Sequence, residues 1–189
     1  MDRLKLIAAL ALGILSTLVA ADEGVELKIE HEKLIDSVFI ERGQGNSVSV
    51  TEFGLQTREL EAWNSYFGHV GLSMLARIGD WQALGEHSFV TQVWDISLTP
   101  VLRLNSQHLK IISPFFEIGL GVHAISHVHI NDRNLSTGFQ FGEILGAGVT
   151  FGHHHAFDAG VRLSHVSNCS IKKPNSGLTY SSIVVGYHF

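Results

Sequence analysis

The chain has 189 residues, 45% of them hydrophobic and only 16% charged, with a formal net charge of −5. That length supports one domain with a sizeable core, and the absence of a basic excess argues against a nucleic-acid partner. A single cysteine, Cys169, rules out an internal disulfide framework.

Residues 1–21 read as a secretory signal peptide. Arg3 and Lys5 give a positive start, Leu6 to Val19 an apolar stretch, and Val19-Ala20-Ala21 a small-residue cleavage site. The apolar run is shorter than the ~20 residues a spanning helix needs, so the mature chain is expected as one domain, 22–189. Residues 22–35, with "VELKIEHEKLI", fit either a strand extension or a short helix.

Beyond that point apolar residues recur with a period of two, the mark of half-buried strands. Eight strands are expected, over 36–43, 47–60, 64–78, 86–104, 109–127, 137–151, 155–167 and 178–189, with "GQGN" at 43–46 as a clear turn. In the seventh, Phe157, Ala159, Val161, Leu163, His165 and Ser167 share one face, while Asp158, Gly160 and Arg162 share the other. The eighth repeats the arrangement, with Ile183, Val185, Tyr187 and Phe189 on its apolar face.

A soluble sandwich or barrel would also alternate. The export signal, the lack of disulfides and the terminal Phe189 favour an all-β, eight-stranded antiparallel transmembrane barrel of the outer-membrane type. Eight strands enclose a space that side chains fill, so a plugged scaffold is expected rather than a pore.

In such a barrel both termini lie on the periplasmic side, where the turns are short. The seventh strand then ascends, which places His165 and Ser167 on the lipid-facing wall near the outer rim. The loop that follows, "NCSIKKPNSG", is extracellular and carries Lys172 and Lys173. These cations can meet glycolipid phosphates or simply solvate the loop. Composition alone leaves His165 and Ser167 as a pair of interfacial polar residues.

The stretch "HVSNCSIKKPNSGL" at 165–178 resembles the signature of the lipid A 3-O-deacylase (PagL) family. "FFEIGLGVHAISHVHINDRNLSTGFQFGEILGAGVTFG" resembles a second, upstream part of it, so the likeness covers about residues 114–189. The resemblance implies an outer-membrane esterase that removes the acyl chain at position 3 of lipid A, working on the outside of the barrel. It implies Ser167 as nucleophile, His165 as its general base, and Asn168 with the Ser170 backbone N–H as oxyanion donors. Lys172, Lys173 and Asn175, in the same motif, are the expected lipid-binding residues.

One position departs from the family pattern. Where the family carries a glutamate that orients the histidine, this chain has Thr179. A hydroxyl can accept the imidazole hydrogen bond but brings no negative charge. Glu143 is a candidate replacement, because it points outward in the sixth strand and folds nearly opposite His165. An outward carboxylate in a membrane band calls for a partner or a use. A cation-bridged lipid phosphate, or interfacial water, would serve instead.

His153, His154 and His155 invite a metal reading, but adjacent turn residues diverge and no thiolate or spaced carboxylate completes a site. A polar periplasmic turn is expected there, with no metal and no cofactor. His123, His127 and His129 flank the "INDRN" loop as candidate headgroup contacts, and Asp132, Arg133 and Asn134 are expected to order that loop or touch lipid. Trp63, Trp81 and Trp94 are candidates for interfacial girdles or for packing. The expected partners are lipopolysaccharide and the outer membrane, and pairing into a homodimer is compatible with them. The alternative readings are a non-catalytic structural or adhesive barrel, or a related lipid acyltransferase.

Overall fold

The computed structural model describes residues 34–65, 68–85, 90–106 and 112–189. The expected signal peptide, and the segment from 22 to 33, lie outside the described residues.

The strands are β1 (Ile35–Gly45), β2 (Val48–Thr57), β3 (Leu60–Ser65), β4 (Gly68–Ala83), β5 (Gln92–Asn105) and β6 (Ile112–Ile125). A small hairpin follows, β7 (His129–Ile130) with β8 (Arg133–Asn134), and then β9 (Phe139–Phe151), β10 (Phe157–Ser167) and β11 (Leu178–His188). Every neighbouring pair is antiparallel, and both β2 and β3 pair with β4, so those two form one broken stave. Pairing of β1 with β11, from Ser37↔His188 to Gln44↔Ser181, closes the sheet into an eight-stave barrel.

Several expected boundaries moved. The second strand was expected to run unbroken to residue 60, but it breaks after Thr57, resumes at Leu60 and carries a register shift between Glu61 and Trp63. Such a bulge adds a residue to one strand and resets its alternation. The fourth was expected to begin at 86, yet β4 continues to Ala83 and β5 starts at Gln92.

The barrel is inverted relative to a soluble domain. Ile40, Phe53, Ile78, Ile96, Phe116, Leu145, Val161 and Ile183 are all exposed on the outer wall, as a bilayer-facing surface requires. The interior holds Glu41, Glu52, Arg77, Glu117 and Arg162, each 3% exposed or less. Arg162 donates to Glu117 at 2.5 Å and to Glu41 at 3.0 Å. Arg77 donates to Glu52 at 2.9 Å and to Glu41 at 3.2 Å, while the Tyr180 hydroxyl also donates to Glu52. Buried charges persist only when paired and hydrogen-bonded, and each of these five charged side chains has at least one oppositely charged partner. Towards the periplasmic end, Arg103 reaches Asp158 at 2.6 Å and Thr150 at 2.6 Å.

The extracellular end closes differently. Ile130 and Leu135, from the loop between β6 and β9, join Val48, Trp81, Val166, Leu178 and Tyr180 in a buried apolar cluster. Trp81 is therefore a packing residue, set against Tyr180 with ring centroids 6.4 Å apart. Trp63 and Trp94 stay half exposed on the outside. His123 also lies inside, bonded through Nδ1 to Asp95 at 2.9 Å, and so does not meet headgroups. Its parity on β6 is that of inward Glu117.

The orientation of the wall has a direct test. Val185 faces outward on β11, where arginine costs about 2–4 kcal/mol near the bilayer midplane. Val185→Arg should lower the yield of folded, heat-modifiable protein in bilayers, measured by gel mobility before and after boiling. An unchanged yield would mean that the faces of β11 have been assigned the wrong way round.

Candidate active site

The site lies on the outer wall where β9, β10 and β11 approach the extracellular rim. His165 pairs across the sheet with Thr179 on one side and with Glu143 on the other. Ser167, two residues on, shares the outward face of His165 and pairs with Phe141. Both side chains are half-buried. Between and beside them, Val166 and Leu178 are 1% and 0% exposed. These inward neighbours sit in the apolar cluster under the rim, so the outward residues rest on a packed support.

The imidazole is fixed by a hydrogen bond between His165 Nδ1 and the Thr179 hydroxyl, 2.8 Å long. With Nδ1 carrying the proton and donating, Nε2 is left as the basic nitrogen. Gly177 makes room for the ring. A Cβ there would lie 3.0 Å from His165 Cε1 and 3.4 Å from Nε2, and the residue has φ of +59°, a conformation that favours glycine. The backbone N–H of Thr179 donates to Asn46 Oδ1 at 2.7 Å, which ties the turn between β1 and β2 to the site.

Glu143 is exposed on β9, opposite His165 and in register with it. Its field is felt at Cys169 beyond the end of β10. There burial pushes the thiol above its ordinary value, the Glu143 carboxylate adds to the rise, and a hydrogen bond with Ser167 opposes it. The thiol is therefore a neutral neighbour of Ser167 rather than a thiolate.

Asn168 is fully buried, and its amide donates to the Leu135 carbonyl at 2.9 Å and to the Lys172 carbonyl at 2.8 Å. An oxyanion bond from this side chain therefore requires exchanging one of those contacts. Asn175 Oδ1 accepts from the Asn168 backbone N–H at 3.2 Å, so it shapes the same turn. Cys169 and Ser170 both take left-handed backbone angles, with φ of 51° and 64°. Lys172 and Lys173 are exposed on the loop.

A clasp that sequence reasoning only outlined holds this loop to the preceding one. Arg133 donates to the carbonyls of Ser176 and Gly177, at 2.9 Å each. The Ser176 N–H donates to the Asn134 carbonyl, the Asn134 N–H donates to the Ser176 hydroxyl, and the Ser136 hydroxyl donates to the Pro174 carbonyl. Arg133 and Asn134 are thus loop-ordering residues. The anchor from Asn46 went unread, because no motif links the first turn of the barrel to its last loop. His153–His155 form a short 3₁₀ turn at the opposite end, far from this chemistry.

A closed barrel with a polar, lipid-facing serine–histidine pair defines the class: an outer-membrane β-barrel with a candidate hydrolytic site on its outside. The family model for lipid A 3-O-deacylase (PagL) matches residues 51–188, and the chain belongs to that family. Lipid A deacylase PagL of Pseudomonas aeruginosa is 39% identical over 72 residues, which are 38% of this chain and 40% of that protein. The Bordetella bronchiseptica protein of the same name is 32% identical over 109 residues, 58% and 57% of the two chains. The matched stretches span about half the length of these curated relatives. A solved structure described as the outer membrane enzyme PagL is similar with a TM-score of 0.73 at 27% identity, covering 81% of this chain and 99% of that one.

Proposed function

We propose that the protein is a serine ester hydrolase of the outer leaflet that releases the acyl chain esterified at position 3 of lipid A. The observation that carries this reading is the 2.8 Å bond from His165 Nδ1 to Thr179, on the same outward face as Ser167 and in a chain of the deacylase family. With Nδ1–H donating to the hydroxyl, which can accept it, the bond supports the tautomer in which Nε2 takes a proton. Ser167 Oγ attacks the ester carbonyl as its proton moves to His165 Nε2. The charge that develops on the carbonyl oxygen meets the Ser170 N–H, and Asn168 adds a second donor by exchanging its bond to the Lys172 carbonyl. Collapse expels the sugar 3-hydroxyl, which recovers the proton from His165. Water then repeats the sequence on the acyl–Ser167 ester and frees the fatty acid.

Thr179 orients His165 in this scheme, and Glu143 lends negative potential from the other side. A neutral orienter stabilises the imidazolium less than a carboxylate would, so the enzyme is expected to be slow. Lys172 and Lys173 face the headgroup layer as counter-charges for phosphate, with Asn175 setting the turn that presents them.

Mass spectrometry of lipid A incubated with the folded protein tests the activity. The expected product lacks the 3-linked acyl chain, and intact lipid A after prolonged incubation would reject the reading. The same assay separates the two orienters. Thr179→Glu should raise the rate by roughly tenfold or more by placing a charge on Nδ1–H, while Glu143→Gln should change it by only a few-fold. A large loss in Glu143→Gln with no gain in Thr179→Glu would transfer the orienting role to Glu143.

A further inference from the structure

The outer wall carries a second polar feature beside the site. Arg42 points outward from β1, three residues below the turn that joins β1 to β2 at the extracellular rim. Its guanidinium donates to Thr51, the cross-strand neighbour, at 2.6 Å. Among the described residues no carboxylate pairs with it. Glu41 and Glu52, adjacent in the chain and across the sheet, point into the lumen and are bonded to Arg77 and Arg162 there. An arginine has five N–H donors in a planar fork that matches carboxylate or phosphate oxygens in pairs. On this wall most of that capacity faces the membrane.

Arg42 also lines a groove of about 420 Å³ on the outside of the barrel. Gln44, Ser49 and Ser181 supply its other polar lining, and Val161 and Ile183 give it an apolar side. Apolar and hydrogen-bonding surfaces therefore meet in one concavity, as an amphiphile's headgroup junction requires. The groove and the site share the outward face of β11. Thr179 pairs with His165, Ser181 pairs with Gln44, and Ile183 pairs with Arg42, all on the outward face. Thr179 and Ile183 are four residues apart, about 13 Å along the strand. That span suits a sugar headgroup that presents an ester at one end and an anion at the other.

We propose that Arg42, with Gln44 and Ser181, forms a headgroup subsite that binds a phosphate of the lipid whose acyl ester lies at Ser167. The proposal rests on the deacylase reading for the identity of the lipid, and on the unpaired guanidinium and its groove for the phosphate. A bidentate arginine–phosphate contact is strong and geometrically selective. The subsite therefore sets which headgroups are accepted, while Ser167 and His165 act on the ester.

Binding without turnover gives the first test. In a Ser167→Ala background, native mass spectrometry should detect phosphorylated lipid A bound at least about tenfold more tightly than the same lipid with its phosphates removed. Adding Arg42→Gln should lower that ratio severalfold, leaving the share that Lys172 and Lys173 contribute, and adding Arg42→Lys should keep more of it. Gel mobility before and after boiling confirms that each variant is folded. An unchanged ratio in folded Ser167→Ala/Arg42→Gln protein overturns the subsite. So does displacement of the lipid by millimolar inorganic phosphate, since the groove would then hold the free ion.

Turnover gives the second test. Arg42→Gln in the otherwise unaltered protein should raise KM for phosphorylated lipid A by about tenfold with a much smaller change in kcat. Loss of kcat at constant KM would overturn the binding role. Absence of acyl release from unmodified protein, with the Arg42-dependent binding ratio intact, would reject the deacylase reading and leave the phosphate subsite standing.

Discussion

Replacing Ser167 with alanine should reduce release of the 3-linked acyl chain by roughly four to six powers of ten, with the barrel still folded. The size follows from the way a nucleophile and its base act as one unit: without either, only oxyanion stabilisation and binding remain. His165→Ala should be nearly as damaging, and the double variant little worse than either alone. Ser167 and His165 both face outward, away from the lumen lattice, so neither change touches the interactions that fill the barrel. Quantifying free fatty acid by mass spectrometry, alongside heat-modifiable gel mobility, separates a chemical loss from a folding loss. A Ser167→Ala protein that works at the wild-type rate would end the serine-hydrolase reading.

The largest stability effect is expected inside the barrel. Arg162 is 3% exposed and holds Glu117 and Glu41 together. Glu41 keeps Arg77 and the Ser182 hydroxyl if Arg162 is lost. For Glu117, Arg162 is the hydrogen-bonding partner among the described residues, so Arg162→Leu strands that carboxylate in the lumen. Removing one member of a buried pair costs about 3–5 kcal/mol. Denaturant titration of the folded barrel in detergent, followed by gel mobility, should reveal a corresponding drop in the midpoint. Adding Glu117→Gln to Arg162→Leu should recover part of it, because a neutral amide is cheaper to bury than an unpaired charge. Equal midpoints for wild type and Arg162→Leu would mean that the lattice fills space without holding the staves.

The barrel was legible because the side-chain period of a strand is two and the two sides of this wall are chemically opposite. On β10, Asp158 and Arg162 alternate with Phe157, Val161 and Leu163, and that contrast alone places the charges inside once the membrane is recognised. The same parity assigns His123 and Trp81 to the interior, but a loop-flanking histidine and a tryptophan suggest interfacial roles strongly enough to mask it. Boundaries were harder to read. Gly79 and Asp80 look like a turn, yet β4 passes through them. Gly79 faces inward, where a Cβ would lie 3.0 Å from Glu52 Oε1, and Asp80 bonds Gln82 and Gln92 on neighbouring positions. The break after Thr57 depends on long-range contacts as well, since Glu59 accepts from Asn105 at 3.0 Å.

The candidate site divides in the same way. His165 and Ser167 at i and i+2, and their register against Thr179 and Glu143, follow from hairpin geometry. The choice between the two partners is a matter of rotamer, which alternation does not encode. The loop clasp and the Asn46 anchor arise because barrel closure brings the first turn beside the last loop. Arg42 was invisible for a related reason. On its own strand it is one polar residue among several, and only the β1–β11 seam places it along the wall from Thr179.

The location of the serine–histidine pair on the outside of the barrel changes what concentration means for this protein. On the proposed reading, a lipid reaches the pair by travelling sideways within one leaflet, so encounter is a two-dimensional search rather than a three-dimensional one. Turnover should then follow the mole fraction of substrate among the surrounding lipids, and diluting the leaflet with inert lipid should slow the reaction even when total substrate in the tube is unchanged. Tighter lipid packing, through saturated chains or bridging divalent cations, should act as a brake on the same search. The state of the membrane becomes a rate-setting variable without any change in the protein.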